Sequence, residues 1–497
     1  GVGEFGGGHV RCNAAGQARI PGRSQRDDGP QAVTVTLRPV SAGAISCGSG
    51  PTADVGARVL AEGGNAVDAA IAAAFASTVT EPGVSSMGGG GFLLVREPDG
   101  TSTLVDFFTT VPSGTMGDVD TVTVVYSGTT QDFHVGTQTV AVPGCLDGFL
   151  AGHQRWGSLP LADLVSPSIA LARDGVVLEP GVAHAMFLIE PVLMFTPQVR
   201  ARMAPHGTLL RAGETLVTPE LGDFLQRVAD GEVKSVADLN SHFEGLTPVT
   251  QGDLRDYAVT LREPLVSTVH NAVLTTNPLP SLGGSIVAHV LSDLAEQSHP
   301  QPVAIAEALT ETTAWLKSQV SGPVCTTGTT HISTVDANGM CASLTVSNGL
   351  GSGIVLPDTG IHLNNMMGED DLHPAGPHAA VGGSRIRSMM APSVVEFDDG
   401  LIVLGSGGSE RIRSALTRVI TLMTDGDADL AEAIEAPRLH VDGAGVVQAE
   451  PGLSPAQVDA LRKFAPVNIW DERHFFFGGV NAVQVTGSGA LRAHADP

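Results

Sequence analysis

The sequence predicts an α+β fold in which antiparallel sheets are covered by helices, and three observations carry that prediction. Three segments, FLLVREPDGTSTLVDFF (92–108), HISTVDANGMCASLTVS (331–347) and APSVVEFDDGLIVLGSGG (391–408), each read as two apolar strands around a turn at Pro98-Asp99-Gly100, Asn338-Gly339 or Asp399-Gly400. Helical periods fill the chain between them. Hairpins separated by helices argue for antiparallel sheets and against a doubly wound parallel one.

Taken in order, residues 1–30 are Gly, Arg and polar, and read as a disordered tail. From Thr52 the run TADVGARVLAEGGNAVDAAIAAAFASTV places apolar residues at Val55, Val59, Leu60, Val67, Ala70, Ile71, Ala74 and Phe75. That is a helical period with Thr52 available as N-cap, and it predicts one or two buried helices broken at Gly63-Gly64. The small Ala side chains allow close approach to a neighbouring layer. Residues 150–275 carry a helical pattern with short breaks, in PLADLVSPSIALARDG, TPELGDFLQRVADG and TQGDLRDY. No internal repeat, heptad run or rich linker divides the 497 residues.

The chain carries 27 Lys and Arg against 52 Asp and Glu, a net charge of -25, which repels phosphate backbones and makes nucleic acid an unexpected partner. Its longest uncharged apolar stretch, Ala69 to Thr80, is well short of the roughly 18 residues that span a bilayer. Cys12, Cys47, Cys145, Cys325 and Cys341 are odd in number and lack C-x-x-C spacing. Neither a zinc site nor a disulfide framework is expected, and a reducing, cytoplasmic location is the simpler reading, with export as the alternative. No cofactor or metal is expected: the histidines show no H-E-x-x-H spacing, and the polar loop of Glu369, Asp370, Asp371, His373 and His378 is only a weak metal candidate.

Chemistry concentrates in CTTGTTHISTVDANG, 325–339. Thr329 and Thr330 open a strand directly after Gly328, and a hydroxyl there can attack the carbonyl just before it. Breaking the Gly328–Thr329 bond leaves a chain beginning with Thr329, whose α-amine serves as base for its own hydroxyl. An α-amine with a pKa of about 7.7–8.0 can accept a proton near neutrality. The competing reading is plain β-propensity of Thr-Thr. A second element is Gly405-Ser406-Gly407-Gly408, where a strand runs into a helical pattern and adjacent N–H groups can converge on an oxyanion. The competing reading is a plain tight turn, and the spacing fits neither a Walker nor a dinucleotide loop. His331 is taken as structural, having no Ser-plus-Asp constellation beside it.

The segments 62–95, 138–175, NPLPSLGG (277–284), TTHISTVDANG (329–339), GIHLNNMM (360–367) and GSGGSERI (405–412), colinear across 43–485, resemble the γ-glutamyltranspeptidase family. The resemblance implies an N-terminal nucleophile hydrolase: a four-layered αββα sandwich cut by itself into a large fragment (31–328) and a small one (329–497) that stay together. It implies Thr329 as nucleophile, Ser347 as the hydroxyl contacting the new amine, Asn348 beside the substrate, and Gly407 and Gly408 as oxyanion donors. The family's carboxylate-binding Arg is replaced by Phe108 in Asp106-Phe107-Phe108; its Ser-Ser pair reads Ser388-Met389, and Glu369 stands for an Asp that holds the substrate amine. Arg385, Arg387, Arg411 and Arg413 lie near these segments as replacement cations. The implied activity is transfer of an acyl group from γ-glutamyl amides such as glutathione to water or an amine acceptor. Two alternatives stay open: the same mechanism on a more apolar, cephalosporin-acylase-like acyl amide, and an uncut relative that only binds ligand.

Overall fold

The Ala-rich run folds as two helices, α1 (Gly50–Ala61) and α2 (Ala66–Thr80), parted at 62–65. In this computed structural model, which describes residues 9–12, 43–126, 129–319, 328–368, 381–426 and 428–497, every residue of α2 is buried. Asn65 caps α2 in a reciprocal capping box with Asp68. The N-cap of α1 is Ser49 and not Thr52, because the chain turns helical three residues earlier than a Thr52 cap would allow. Thr52 instead turns its hydroxyl inward, 2.8 Å from Glu81 Oε1.

Seven antiparallel strands form one sheet: β1 (His9–Cys12), β2 (Gly43–Cys47), β3 (Gly90–Arg96), β4 (Ser102–Phe107), β5 (Thr260–Arg262), β8 (Thr329–Asp336) and β9 (Cys341–Ser347). Their spatial order is β1-β2-β8-β9-β3-β4-β5. The second sheet is antiparallel too, in the order β6 (Leu265–Val269), β7 (Ala272–Thr276), β10 (Ser393–Phe397), β11 (Gly400–Gly407), β12 (Gly479–Val485), β13 (Leu491–Ala495). All three expected hairpins are present, as β3–β4, β8–β9 and β10–β11.

The sheets face each other, with β8 and β9 against β11. Helices α1, α2 and α3 (Cys145–Trp156) cover the outer face of the first sheet, with α4 (Leu161–Asp174) packed on α2. Two further helices, 282–294 and 410–424, cover the second sheet. Apolar residues of α2 and α3 fill the layer under the first sheet, where Phe75 meets Phe149 edge-on at 5.1 Å. The expected antiparallel α+β layering is thus present as α-β-β-α.

Two expectations are corrected. The stretch read as helical through residue 275 ends in β5, β6 and β7, because these strands are only three to five residues long, too short to set a period of their own. A paired hairpin at 120–126 and 129–135 was not anticipated either. Within the segment read as a tail, residues 9–12 pair with 44–47 at the sheet edge.

Candidate active site

Alternation along β8 sets the site. Thr330 and Thr334 face the helices, where Thr334 Oγ1 donates to Ala66 O at 2.7 Å. Thr329, His331 and Ser333 face the second sheet. Opposite them on β9 stand Ser347, Thr345 and Ser343, in direct register. This buried row of polar side chains needs partners, and it finds them. His331 bonds Thr345 Oγ1 at 2.8 Å and Ser333 Oγ at 2.9 Å, and Ser343 Oγ donates to Leu404 O at 3.1 Å. Burial pushes the His331 pKa down to about 3, so the imidazole is neutral and structural, as its sequence context suggested.

The row also explains the glycines of β11. A Cβ on Gly405 would stand 2.3 Å from the His331 ring, and one on Gly407 would stand 2.2 Å from Thr329 O. Only glycine lets the second sheet approach the strand-opening threonine so closely. Beyond Gly407 the chain turns through Gly408 at φ +100 and Ser409 at φ +55 into the helix 410–424. The Gly408 N–H makes no hydrogen bond to any described residue, leaving a donor at the strand-to-helix turn.

Ser347 Oγ donates to Gly328 O at 2.9 Å and accepts from Gly349 N at 3.1 Å. The carbonyl before Thr329 therefore already has a hydroxyl donor. Thr329, Gly407 and Gly408 line one open cavity. Of the expected catalytic residues, Thr329, Gly407 and Gly408 meet there, and Ser347 reaches them through Gly328.

The expected substrate-side residues are placed differently. Asn348 is buried beside the site: its backbone N–H donates to Val84 O at 3.2 Å, and its Oδ1 has no hydrogen-bond partner among the described residues. Ser388 accepts from Met390 N at 3.0 Å, and its carbonyl takes the Ser281 hydroxyl at 3.0 Å, so it serves the 277–284 turn and does not line the cavity. Phe108 is 2% exposed, stacked on Phe92 at 5.6 Å in an apolar cluster with Met366, Met367 and Met390. Glu369 and the rest of its polar loop lie outside the described residues.

None of the four replacement cations lines the cavity. Arg385 pairs with Asp106 at 3.4 Å and lies over the Tyr257 ring; Arg411 donates to Phe476 O at 2.8 Å; Arg413 pairs with Glu410 at 3.4 Å. Proximity in sequence misled here because the guanidinium groups of Arg385, Arg411 and Arg413 meet nearer acceptors. The cations at the cavity are Arg438 and Arg473. Arg438 is buried, held by Asp496 and by the carbonyls of Gly478 and Ile434.

Sequence reasoning also missed the cavity's other titratable groups. Burial holds Glu81 above the ordinary carboxyl range, partly offset by the hydroxyls of Thr330, Thr52 and Ser49. It pushes Glu450 up as well, and lowers His184 and His474, the latter to about 4. Glu81 stands inside the quoted segment 62–95, but a Glu after an apolar helix reads as an ordinary exposed helix end.

Two antiparallel sheets between helical layers, with a threonine opening an inner strand against a glycine pair, are the architecture of an N-terminal nucleophile hydrolase. The model of the gamma-glutamyltranspeptidase family matches residues 52–321 and 310–497, and the chain belongs to that family of enzymes. It is 29% identical over 503 residues to the acylase ACY 1 proenzyme of Pseudomonas sp. (strain SE83), covering 88% of this chain and 89% of that one. It is 27% identical over 518 residues to the glutathione hydrolase proenzyme of Escherichia coli (strain K12), covering 89% and 88%. The solved cephalosporin acylase from Bacillus halodurans superposes with a TM-score of 0.78 at 23% identity, over 94% of this chain and 96% of that chain, a likeness of fold.

Proposed function

We propose that the chain cuts itself between Gly328 and Thr329 and then works as a threonine amidohydrolase. The hydrogen bond from Ser347 Oγ to Gly328 O carries this reading, because it polarises the one carbonyl that Thr329 must attack. Attack of Thr329 Oγ on that carbon forms a tetrahedral adduct whose oxygen keeps the Ser347 donor. Expulsion of the Thr329 nitrogen gives an ester, and water hydrolyses it to a Gly328 carboxylate and a free Thr329 amine. The fragments 31–328 and 329–497 stay together on this reading, since β8 and β9 of the small one sit between β2 and β3 of the large one.

On a substrate amide, the free amine takes the Thr329 hydroxyl proton and passes it to the leaving amine. The N–H groups at Gly407 and Gly408 receive the oxyanion, and water then releases the acyl group. No cofactor enters this scheme; the partners are a small amide, water or an amine acceptor.

For the acyl group, the burial of Phe108 among methionines favours an apolar or non-γ-glutamyl amide over glutathione-like substrates. A buried phenyl ring offers neither charge nor donor to an α-carboxylate. The acylase name of one relative agrees with this, and the glutathione hydrolase name of another keeps the γ-glutamyl reading in view. Denaturing intact mass of wild type and Thr329→Ala tests the cut: two fragments meeting at 328 and 329, absent in the variant, are expected. Specificity is tested by kcat/KM on γ-glutamyl-, glutaryl- and phenylacetyl-p-nitroanilide, where a strong preference for the γ-glutamyl compound would sink the apolar reading.

A further inference from the structure

Glu81 is a buried carboxyl, 4% exposed, that also lines the cavity beside Thr329. It follows directly on α2 and is served by a chain of hydroxyls: Thr52 Oγ1 lies 2.8 Å from Glu81 Oε1, and Ser49 Oγ and Thr80 Oγ1 lie 2.8 and 2.6 Å from Thr52 Oγ1. Every one of these hydroxyls can point its proton toward an ionised Glu81. On the other side, a Cβ on Gly48 would stand 2.9 Å from Glu81 Oε2 and 2.8 Å from Thr330 Oγ1, so the carboxyl and the threonine next to the nucleophile share one glycine. The Thr330 hydroxyl is buried beside the carboxyl and favours its ionised form. A packing role alone would not place an ionisable group at the head of a buried row of hydroxyls at the wall of this cavity.

We propose that Glu81, acting across Thr330, is a positioning residue of the Thr329 site whose ionised carboxylate stabilises the ammonium formed when the Thr329 amine takes its own hydroxyl proton. The inference rests on the proposed role of Thr329 as an amine-terminated nucleophile. No bond to Glu81 forms or breaks; the proton moves from Thr329 Oγ to Thr329 N, and the carboxylate supplies the compensating charge. The carboxylate must be ionised to do this, and the groups that act on it can be named. Glu179, whose Oε2 takes the Gly50 N–H at 2.9 Å, opposes its ionisation, while the neighbouring Cys47 thiol is itself pushed well up by burial. Across the cavity stand His184, Arg438, Glu450, Arg473, His474 and Asp496.

The experiment is the pH profile of kcat/KM for wild type, Glu81→Gln and Glu81→Asp on the best p-nitroanilide substrate, with the rate of self-cutting followed by intact mass. In wild type, activity falls as the amine is protonated, and falls more steeply at lower pH as Glu81 is protonated too. Glu81→Gln is expected to lose 10-fold or more in kcat, to lose the second, steeper fall, and to show a lower apparent amine pKa. Glu81→Asp should keep the amine pKa with a smaller loss of rate. An unchanged amine pKa in Glu81→Gln, or both variants folded and equally uncut, would overturn the proposal and leave Glu81 a packing group. If wild type is itself never cut, the Thr329 reading fails instead, which is a separate outcome.

Discussion

Ser347 donates to the oxygen on which charge develops when Thr329 attacks, so its removal should act on self-cutting first. Ser347→Ala is expected to slow the cut about 10²-fold, the usual cost of one oxyanion donor, in a time course of fragment masses. A cut at the wild-type rate would mean that the hydrogen bond is only structural. Phe108 gives the opposite kind of prediction. Phe108→Arg puts the family's guanidinium back, but into a cluster of methionines and aromatic rings, so it should lose several kcal/mol of stability and gain no γ-glutamyl activity. That Thr329, Gly407 and Gly408 meet at one cavity was legible in the sequence because the chemistry the family resemblance implies demands those residue types. The fates of Phe108, Ser388 and Arg385 were not, because a motif gives the residue at a position and not the partner its side chain finds after folding.

Between elements, the decisive contact is the approach of β11 to the start of β8, across 78 residues of sequence from Thr329 to Gly407. Gly407→Ala would put a carbon 2.2 Å from Thr329 O, and the sheets must part to admit it. It is expected to abolish the cut, whereas Gly339→Ala, at φ +85 with no atom within 4 Å, should cost about 1 kcal/mol of stability and leave cutting unchanged. Thermal melts and fragment masses of the two variants separate the cases. The same pair shows why hairpins could be read and sheet stacking could not. Gly339 is required by a local turn four residues long, while Gly407 is required by a neighbour that only the tertiary fold supplies. Strands β5 to β7 were missed for a related reason, since their pairing partners and not their own alternation make them strands.

Across the whole molecule, acid stability should be governed by imidazoles that folding buries in neutral form. His331 is pushed down to about 3, and His362 and His440 to about 4, chiefly by burial. Below the unfolded value of about 6.5 the unfolded chain takes up protons that the native chain refuses, so stability falls with pH by about 1.4 kcal/mol per unit for each such group until its native pKa is reached. Buried carboxyls act in the reverse sense. Asp147, raised to about 6 by burial, takes up its proton in the native state first, so its contribution to stability grows as pH falls from about 6 toward 4. His474 and His184, also lowered by burial, act with these three imidazoles, and Glu81 and Glu450, raised by burial, act with Asp147, so five groups that lose stability on acidification stand against three that gain it. Unfolding free energies at pH 7, 6, 5 and 4.5 should therefore fall continuously, measured at about 0.15 M salt or above, where screening limits repulsion among a net charge of -25. Asp147→Asn keeps an acceptor for the Val236 N–H, now 2.8 Å from the carboxylate, and removes the titration. It should raise stability at pH 7 and steepen the loss between pH 6 and 4.5; a variant whose profile runs parallel to wild type would show that this carboxyl does not titrate as its burial requires.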